Sequence, residues 1–256
     1  MTVSCLSLNM RQKILSFNFI PNKKELHKGL KLPKNLTKEL AYLCGILIGD
    51  GSIQYRKEKN EYRIKCVGNP KDEKEFYYDI ISPHFNKVFG FAPTMKFHDS
   101  KTTFGFIIYS KSLFNYLTQV IKLTNGKKDK NLMIPKIFLK DKPLLISVIR
   151  GIFDTDGCIC FKKKYTLVPY YPVISLSSQS KKLISQVVSV LKKEGFKVVE
   201  TYDYKFKDLR AKQGFTVISR LELNGKKNMY TWLCKIGFSN PKHLKKIGKV
   251  NSGERI

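Results

Sequence analysis

The pattern of apolar and polar positions repeats itself. Leu43-Cys44-Gly45-Ile46-Leu47-Ile48-Gly49-Asp50-Gly51 returns 106 residues later as Ile149-Arg150-Gly151-Ile152-Phe153-Asp154-Thr155-Asp156-Gly157. Each copy is an apolar stretch of helical character, with small residues along one stripe and Asp-Gly at its end. Start signals precede both copies. Thr37 is placed to cap the first, with Glu39 in its first turn, and Asp141 to cap the second, with Pro143 just inside. The first helix is expected over about Lys38–Gly49, with Gly51 giving a left-handed exit.

Behind each helix the period changes to two. Ser52–Lys57 and Tyr62–Val67 read as strands around the polar turn Glu58–Glu61. On the second strand Arg63, Lys65 and Val67 share one face, and Tyr62, Ile64 and Cys66 the other. Asp72–Phe89 reads as a helix redirected at Pro83, followed by strands at about Thr94–His98 and Phe104–Tyr109 and a helix at about Lys111–Leu123. The second copy gives strands near Cys158–Lys163 and Val173–Ser177, then a helix over Lys181–Glu194 that stops at Gly195. Strands near Val198–Tyr204 and Thr216–Leu223 lead to a last helix over Lys226–Ile236. Both halves read α-β-β-α-β-β-α, which is an α+β fold made by duplication. Residues 1–35 are an N-terminal extension, 36–130 the first half-domain and 131–256 the second, with the basic loop Asn125–Lys130 as the boundary.

The repeat predicts a site. Ala41, Gly45 and Gly49 lie four apart, as do Ser147, Gly151 and Thr155, so each set forms one face of its helix. Faces with little side-chain bulk let two backbones approach closely. Packed side by side, the helices bring Asp50 and Asp156 together at one end. That end carries the unsatisfied carbonyls of both helices, and an Asp there is badly placed unless a cation is present. Two carboxylates among carbonyls make a hard-oxygen site suited to Mg²⁺ and to phosphoryl-transfer chemistry.

Charge names the partner. The 256 residues hold 48 Lys+Arg against 20 Asp+Glu, a net charge of +28 spread along the whole chain. A polyanion is the natural partner for such a surface, and its binding weakens with salt. No run of about 18 apolar residues spans a bilayer, so no membrane partner is expected. Six cysteines without a Cys-x-x-Cys pair read as buried thiols in a reducing, intracellular compartment, and the four histidines form no zinc pattern. Lysine predominates among the basic residues, which points to an organelle (mitochondrion or chloroplast) or an archaeal cytoplasm. Arg11 and Lys13 precede the first acid, Glu25, giving slight transit-peptide character. Basic and aromatic residues on strands suit a β-ribbon lying in a DNA groove. The candidates are Arg56, Arg63, Lys65, Lys96, Lys162, Lys164, Tyr202, Tyr204, Lys205, Arg210, Lys212 and Arg220.

From these residues the chain resembles the LAGLIDADG homing endonucleases of the single-chain, two-motif kind, over roughly residues 36 to 250. Met133-Ile134-Pro135-Lys136 and Ile236-Gly237-Phe238-Ser239-Asn240-Pro241 are further phrases similar to the family's. The resemblance implies pseudo-twofold halves whose two antiparallel sheets form a DNA-binding saddle. It implies a monomeric enzyme that cuts both strands of a long site in double-stranded DNA with Mg²⁺, or Mn²⁺ in its place. Asp50 and Asp156 then take the catalytic and metal-ligand positions, with the carbonyls of Gly49 and Thr155 as further ligands. Family sites add a Lys or Gln near each scissile phosphate. Gln179, one of Lys127, Lys128 and Lys130, and one of Lys242, Lys245 and Lys246 are open for that role, with Gln179, Lys130 and Lys242 taken forward. Asp154 is expected to turn away from the seam and to be non-catalytic. The alternative is an intron maturase on the same fold that binds intron RNA and needs no carboxylates. Loss of catalysis would tolerate Asn or Ser at 50 and 156, and neither occurs. An intein-borne enzyme is not expected, because no His-Asn pair ends the chain.

Overall fold

The structure, a computed structural model, describes residues 15–17, 19–128, 130–164, 167–209 and 211–251, with side chains as far as 249. A short helix α1 (Lys23–His27) leads to α2 (Lys38–Gly49), β1 (Gly51–Arg56) and β2 (Glu61–Gly68). A π-helical turn (Phe76–Ile81) runs into α3 (Ser82–Phe89), followed by β3 (Lys96–His98), β4 (Thr103–Tyr109) and α4 (Lys111–Asn115), which continues as a second π turn (Tyr116–Val120). The second half contains α5 (Lys136–Leu139), α6 (Lys142–Thr155), β5 (Gly157–Lys162), β6 (Tyr171–Ser178) and α7 (Lys181–Lys193). It closes with β7 (Val198–Lys207), β8 (Phe215–Asn224), α8 (Gly225–Lys235) and α9 (Pro241–Asn251). Each half has one four-stranded antiparallel sheet, in the orders β1-β2-β4-β3 and β5-β6-β8-β7.

Alternation sets the faces. Ile53, Ile64, Cys66, Phe104 and Phe106 point into the core, as do Ile159, Ile174, Leu176, Leu221 and Leu223 of the second sheet. One continuous apolar cluster, from Leu15 to Ile247, joins both halves through α2 and α6. Thr37 caps α2 through Leu40 N at 3.1 Å, and Asp141 caps α6 through Leu144 N at 3.0 Å. Gly51 does not make a left-handed exit. A Cβ there would stand 2.5 Å from the Leu47 carbonyl oxygen, as one on Gly157 would from that of Phe153. The glycines are needed because each chain turns straight back along its helix into a strand.

Several elements depart from the pattern-based reading. The helix expected from Asp72 takes shape further on and accommodates Pro83 in the first turn of α3, after a π turn. The last helix is α9 rather than α8; its Lys-rich composition hid an apolar face that includes His243 and Ile247. The cysteines are not uniformly buried. Cys44 and Cys66 are, but Cys158 and Cys234 are exposed and Cys160 is half-buried, all as free thiols. Among the described residues no helix is long and apolar enough to cross a membrane.

The described part of the N-terminal extension is built into the first half. Leu15, Leu30 and Leu36 are buried in the core, and Lys31 N donates to Phe89 O at 2.8 Å. Residues 1–14, with Arg11 and Lys13, lie outside the described residues. Glu25 is the anchor. Its carboxylate accepts from Ser110 Oγ at 2.6 Å and from Ser112 Oγ at 2.7 Å and Ser112 N at 3.1 Å, and it closes a capping box with Asn22. Burial alone would raise its pKa, but the hydrogen bonds from Ser110, Ser112 and Asn22 outweigh that and hold it below the ordinary 4.5. A lowered carboxylate pKa stabilises the fold above the unfolded value and is lost as pH falls through the folded one. Glu25→Ala is therefore expected to cost about 1–3 kcal/mol at pH 7, by denaturant melting. The difference from wild type should shrink as pH drops below 4.5.

Candidate active site

The site begins with two helices whose backbones nearly touch. A Cβ on Gly45 would lie 2.2 Å from Val148 O, and one on Gly151 would lie 2.3 Å from Tyr42 O. One turn further on, a Cβ on Gly49 would strike Thr155 Oγ1 at 1.9 Å and lie 3.6 Å from Asp156 Cγ. Ala41 is fully buried; Ser147 is only half-buried and gives its hydroxyl to Pro143 O at 3.0 Å. The stripe is thus tight at 45/151 and 49/155 and opens at its start, where a cleft of about 520 Å³ separates the helix N-termini.

At the tight end Asp50 and Asp156 are the C-terminal caps of α2 and α6. Their amides donate to Ile46 O at 3.0 Å and Ile152 O at 2.9 Å. Asp50 is half-buried and Asp156 is exposed at its surface. Desolvation, then the charges of Asp156 and Glu73, raises the Asp50 pKa from 3.8 to about 7, against the pull of Lys242 and Lys128. Desolvation likewise raises Asp156, with Lys128 and Lys242 pulling it down. Two acids made reluctant to ionise by burial, and both repelled by the Glu73 charge, form a place that lacks positive charge.

Two lysines supply part of it. The Lys128 ammonium donates to Gly49 O, and Lys242 Nζ to Thr155 O at 3.3 Å. Each therefore meets the carbonyl one residue before an acid. Lys128 gets there because Gly126, at φ +91°, turns the chain and anchors on Ile53 O at 2.7 Å. Burial lowers the Lys128 pKa, with Asp156 opposing. Lys130 does not enter the site: it is exposed, and its backbone carbonyl accepts from Ser180 Oγ at 3.1 Å. Gln179 is exposed just past the end of β6.

Three participants escaped the sequence reading. Glu73, almost wholly buried, accepts from Lys242 Nζ at 2.6 Å, from Asn69 N at 2.6 Å and from Asn240 Nδ2 at 3.3 Å. Asn240, fully buried, also donates Nδ2 to Asp154 O at 2.8 Å and accepts from Lys242 N at 3.1 Å. Tyr42 donates to Asp154 Oδ2 at 2.7 Å. Asp154 is thus not turned from the first half. It ties α6 to α2 through Tyr42 and holds the Ser239 and Asn240 amides at 2.9 and 3.1 Å. Burial raises its pKa to about 6 against those hydrogen bonds. The only signal for Glu73 was an acid just past a basic strand; its partners Asn240 and Lys242 lie more than 160 positions away.

Residues 144–237 match the description of a LAGLIDADG-like domain. The uncharacterized protein MJ0398 of Methanocaldococcus jannaschii is 24% identical, over 94% of this chain and 90% of its own. A crystal structure of I-DmoI with DNA and Mn superposes at TM-score 0.52 and 19% identity, covering 79% of this chain and 97% of that one. The homing endonuclease I-WcaI bound to its DNA recognition sequence gives 0.51 and 13%, covering 89% and 94%. At these identities the likeness establishes architecture. The chain has the duplicated, two-motif LAGLIDADG fold.

In this LAGLIDADG fold the sheet faces away from the core begin beside the acids. Arg63 and Lys65 lie on the first face. Arg63 Nη2 donates to Gln54 Oε1 at 2.8 Å and Lys65 Nζ to Asp99 at 2.7 Å. Arg56 and Lys96 share that face by register, Arg56 lying 3.7 Å from Glu61. On the second face stand Lys162, Tyr204 and Arg220, with Glu222 lying 2.6 Å from Arg220 and 4.0 Å from Lys162. Tyr202 and Lys205 point the other way. A bulge at Asp203, φ +54°, shifts register between Thr201 and Tyr204 and so reverses the alternation. Lys164 lies 4.4 Å over the Tyr171 ring, Lys212 is exposed in the β7–β8 turn, and Arg210 is outside the described residues.

Proposed function

We propose that the chain is a site-specific DNA endonuclease that makes a double-strand break by divalent-metal-dependent phosphodiester hydrolysis. The observation that carries this reading is the pairing of Asp50 with Asp156 at the end of a close helix pair, with a lysine on the carbonyl just before each acid, where two basic strand faces meet. The donor set fits a hard cation. Among the described residues no three His, Cys, Asp or Glu side chains gather for a metal, so the two carboxylates would hold it, beside the Gly49 and Thr155 carbonyls that Lys128 and Lys242 engage. Mg²⁺ is the expected ion, with Mn²⁺ as substitute. When bound, such an ion lowers the pKa of a water and neutralises charge developing on the phosphate.

The residues of the chain do the rest. Lys128 and Lys242 hold ammonium groups beside the acids, where a phosphate would come to rest, and favour its extra negative charge. Arg63, Lys65, Lys162 and Arg220 hold the duplex from the two sheet faces, and the charge of +28 draws it in. The two acids, each preceded by a lysine-bound carbonyl, are quasi-equivalent, as the two antiparallel strands of a duplex require. The complexes of I-DmoI with DNA and Mn and of I-WcaI with its recognition sequence support the assignment. The test is selection of cleaved molecules from a randomised duplex library in Mg²⁺, with a chelator control. A cleaved pool sharing one long site is the expected result; an uncut library in both Mg²⁺ and Mn²⁺ rejects the proposal.

A further inference from the structure

The two site lysines are not held alike, and the difference lies in a carboxylate lent by one half to the other. Lys128 reaches Gly49 O and Lys242 reaches Thr155 O, which are corresponding carbonyls in the two repeats. Among the described residues only Lys242 is also gripped by an acid, Glu73, at 2.6 Å. Strands β2 and β6 correspond position for position, since Cys66 stands opposite Gly51 as Leu176 stands opposite Gly157. Counting on from there, the counterpart of Glu73 is Leu183, a buried apolar residue. The second half therefore offers Lys128 no equivalent carboxylate at that position.

Glu73 is itself rigidly held. Its Oε2 accepts from Asn69 N at 2.6 Å, and Oε1 is shared by Asn240 Nδ2 and Lys242 Nζ. Asn240 in turn is fixed by Asp154 through its amide and its side chain, and its Oδ1 accepts from Lys242 N. One buried network thus sets both the start of α9 and the reach of the lysine that begins it. We infer that Glu73, with Asn240, is a positioning element for Lys242 alone, so that the cut served by Lys242 depends on the opposite half and the cut served by Lys128 does not. This rests on the endonuclease reading and specifies how its two cuts differ.

The test uses a supercoiled plasmid carrying the site selected from the library. Glu73→Gln keeps the shape and the Asn69 contact but removes the charge that faces Lys242. The expected result is nicked circle accumulating with Mg²⁺: one strand cut slows by about 10- to 100-fold while the other stays within about threefold. Lys242→Met should spare the same strand, and adding Glu73→Gln to it should slow the affected cut no further. Glu73→Asp should restore part of the lost rate. Duplex binding in Ca²⁺ should change little and the two cuts should separate, whereas a merely structural role would weaken binding and slow both cuts together. Equal slowing of both strands, or none, overturns the inference while leaving the endonuclease reading intact. A wild-type protein that cuts nothing overturns that reading and this inference with it.

Discussion

Asp50→Asn and Asp156→Asn each abolish double-strand cutting, by about 10²–10³-fold or more, the scale of losing one preorganised charge at a reacting phosphate. Duplex binding should survive, because the proposed contacts to DNA come from the strand faces and not from the helix ends. Plasmid cleavage and gel-shift assays in Ca²⁺ separate the two effects. The same substitutions are expected to raise the melting temperature in a chelator. Desolvation and the neighbouring Asp156 and Glu73 charges raise the Asp50 pKa to about 7. A raised acid pKa favours the fold below the unfolded value of 3.8, and that contribution fades as pH rises through about 7. The gain from Asp50→Asn should therefore be larger at pH 8 than at pH 5, and Mg²⁺ should narrow it. A variant that cuts at the wild-type rate, or that melts lower in a chelator at pH 8, contradicts this account.

Gly151→Val destabilises the protein severely, because the space a side chain would need is filled by backbone. Its Cβ would lie 2.3 Å from Tyr42 O and 2.8 Å from Ile46 N, groups fixed within α2 and unable to rotate aside. Overpacking of this kind costs about 3 kcal/mol, which lowers the melting temperature by roughly 6–12 °C in a chain of this size. Relief by spreading the helices would carry Asp156 away from Asp50, so cleavage should fail even in protein that remains folded at low temperature. Gly45→Val, facing Val148 O at 2.2 Å, should behave alike. Ser147→Ala, at the open start of the stripe, should be near neutral. Calorimetry of the three variants checks the ordering.

The helix pair, both caps and the two sheets were legible because their signals are local. Small residues four apart, Thr37 and Asp141 ahead of apolar runs, and alternation at 62–67 need no knowledge of the rest of the chain. Departures arose where distant parts decide. The buried Glu25 is stable only because Ser110 and Ser112 meet it. The face presented by Tyr204 depends on one extra residue in the bulge at Asp203. For the site, both acids could be read from the repeat, whereas the choice of Lys128 over Lys130 depends on a turn at Gly126 anchored to β1. Glu73 was invisible and Asn240 stood only inside a family-like phrase, since nothing near either residue marks the other.

The sheets differ in length as well as in register. The outer pair of the first half is short, with 3 residues in β3 and 7 in β4, while β7 and β8 have 10 each. At about 3.3 Å per residue the long hairpin extends roughly 33 Å. On the endonuclease reading, a duplex lying across such uneven jaws would be grasped lopsidedly, so its footprint should reach further on one flank than on the other, and no palindromic target would fill both.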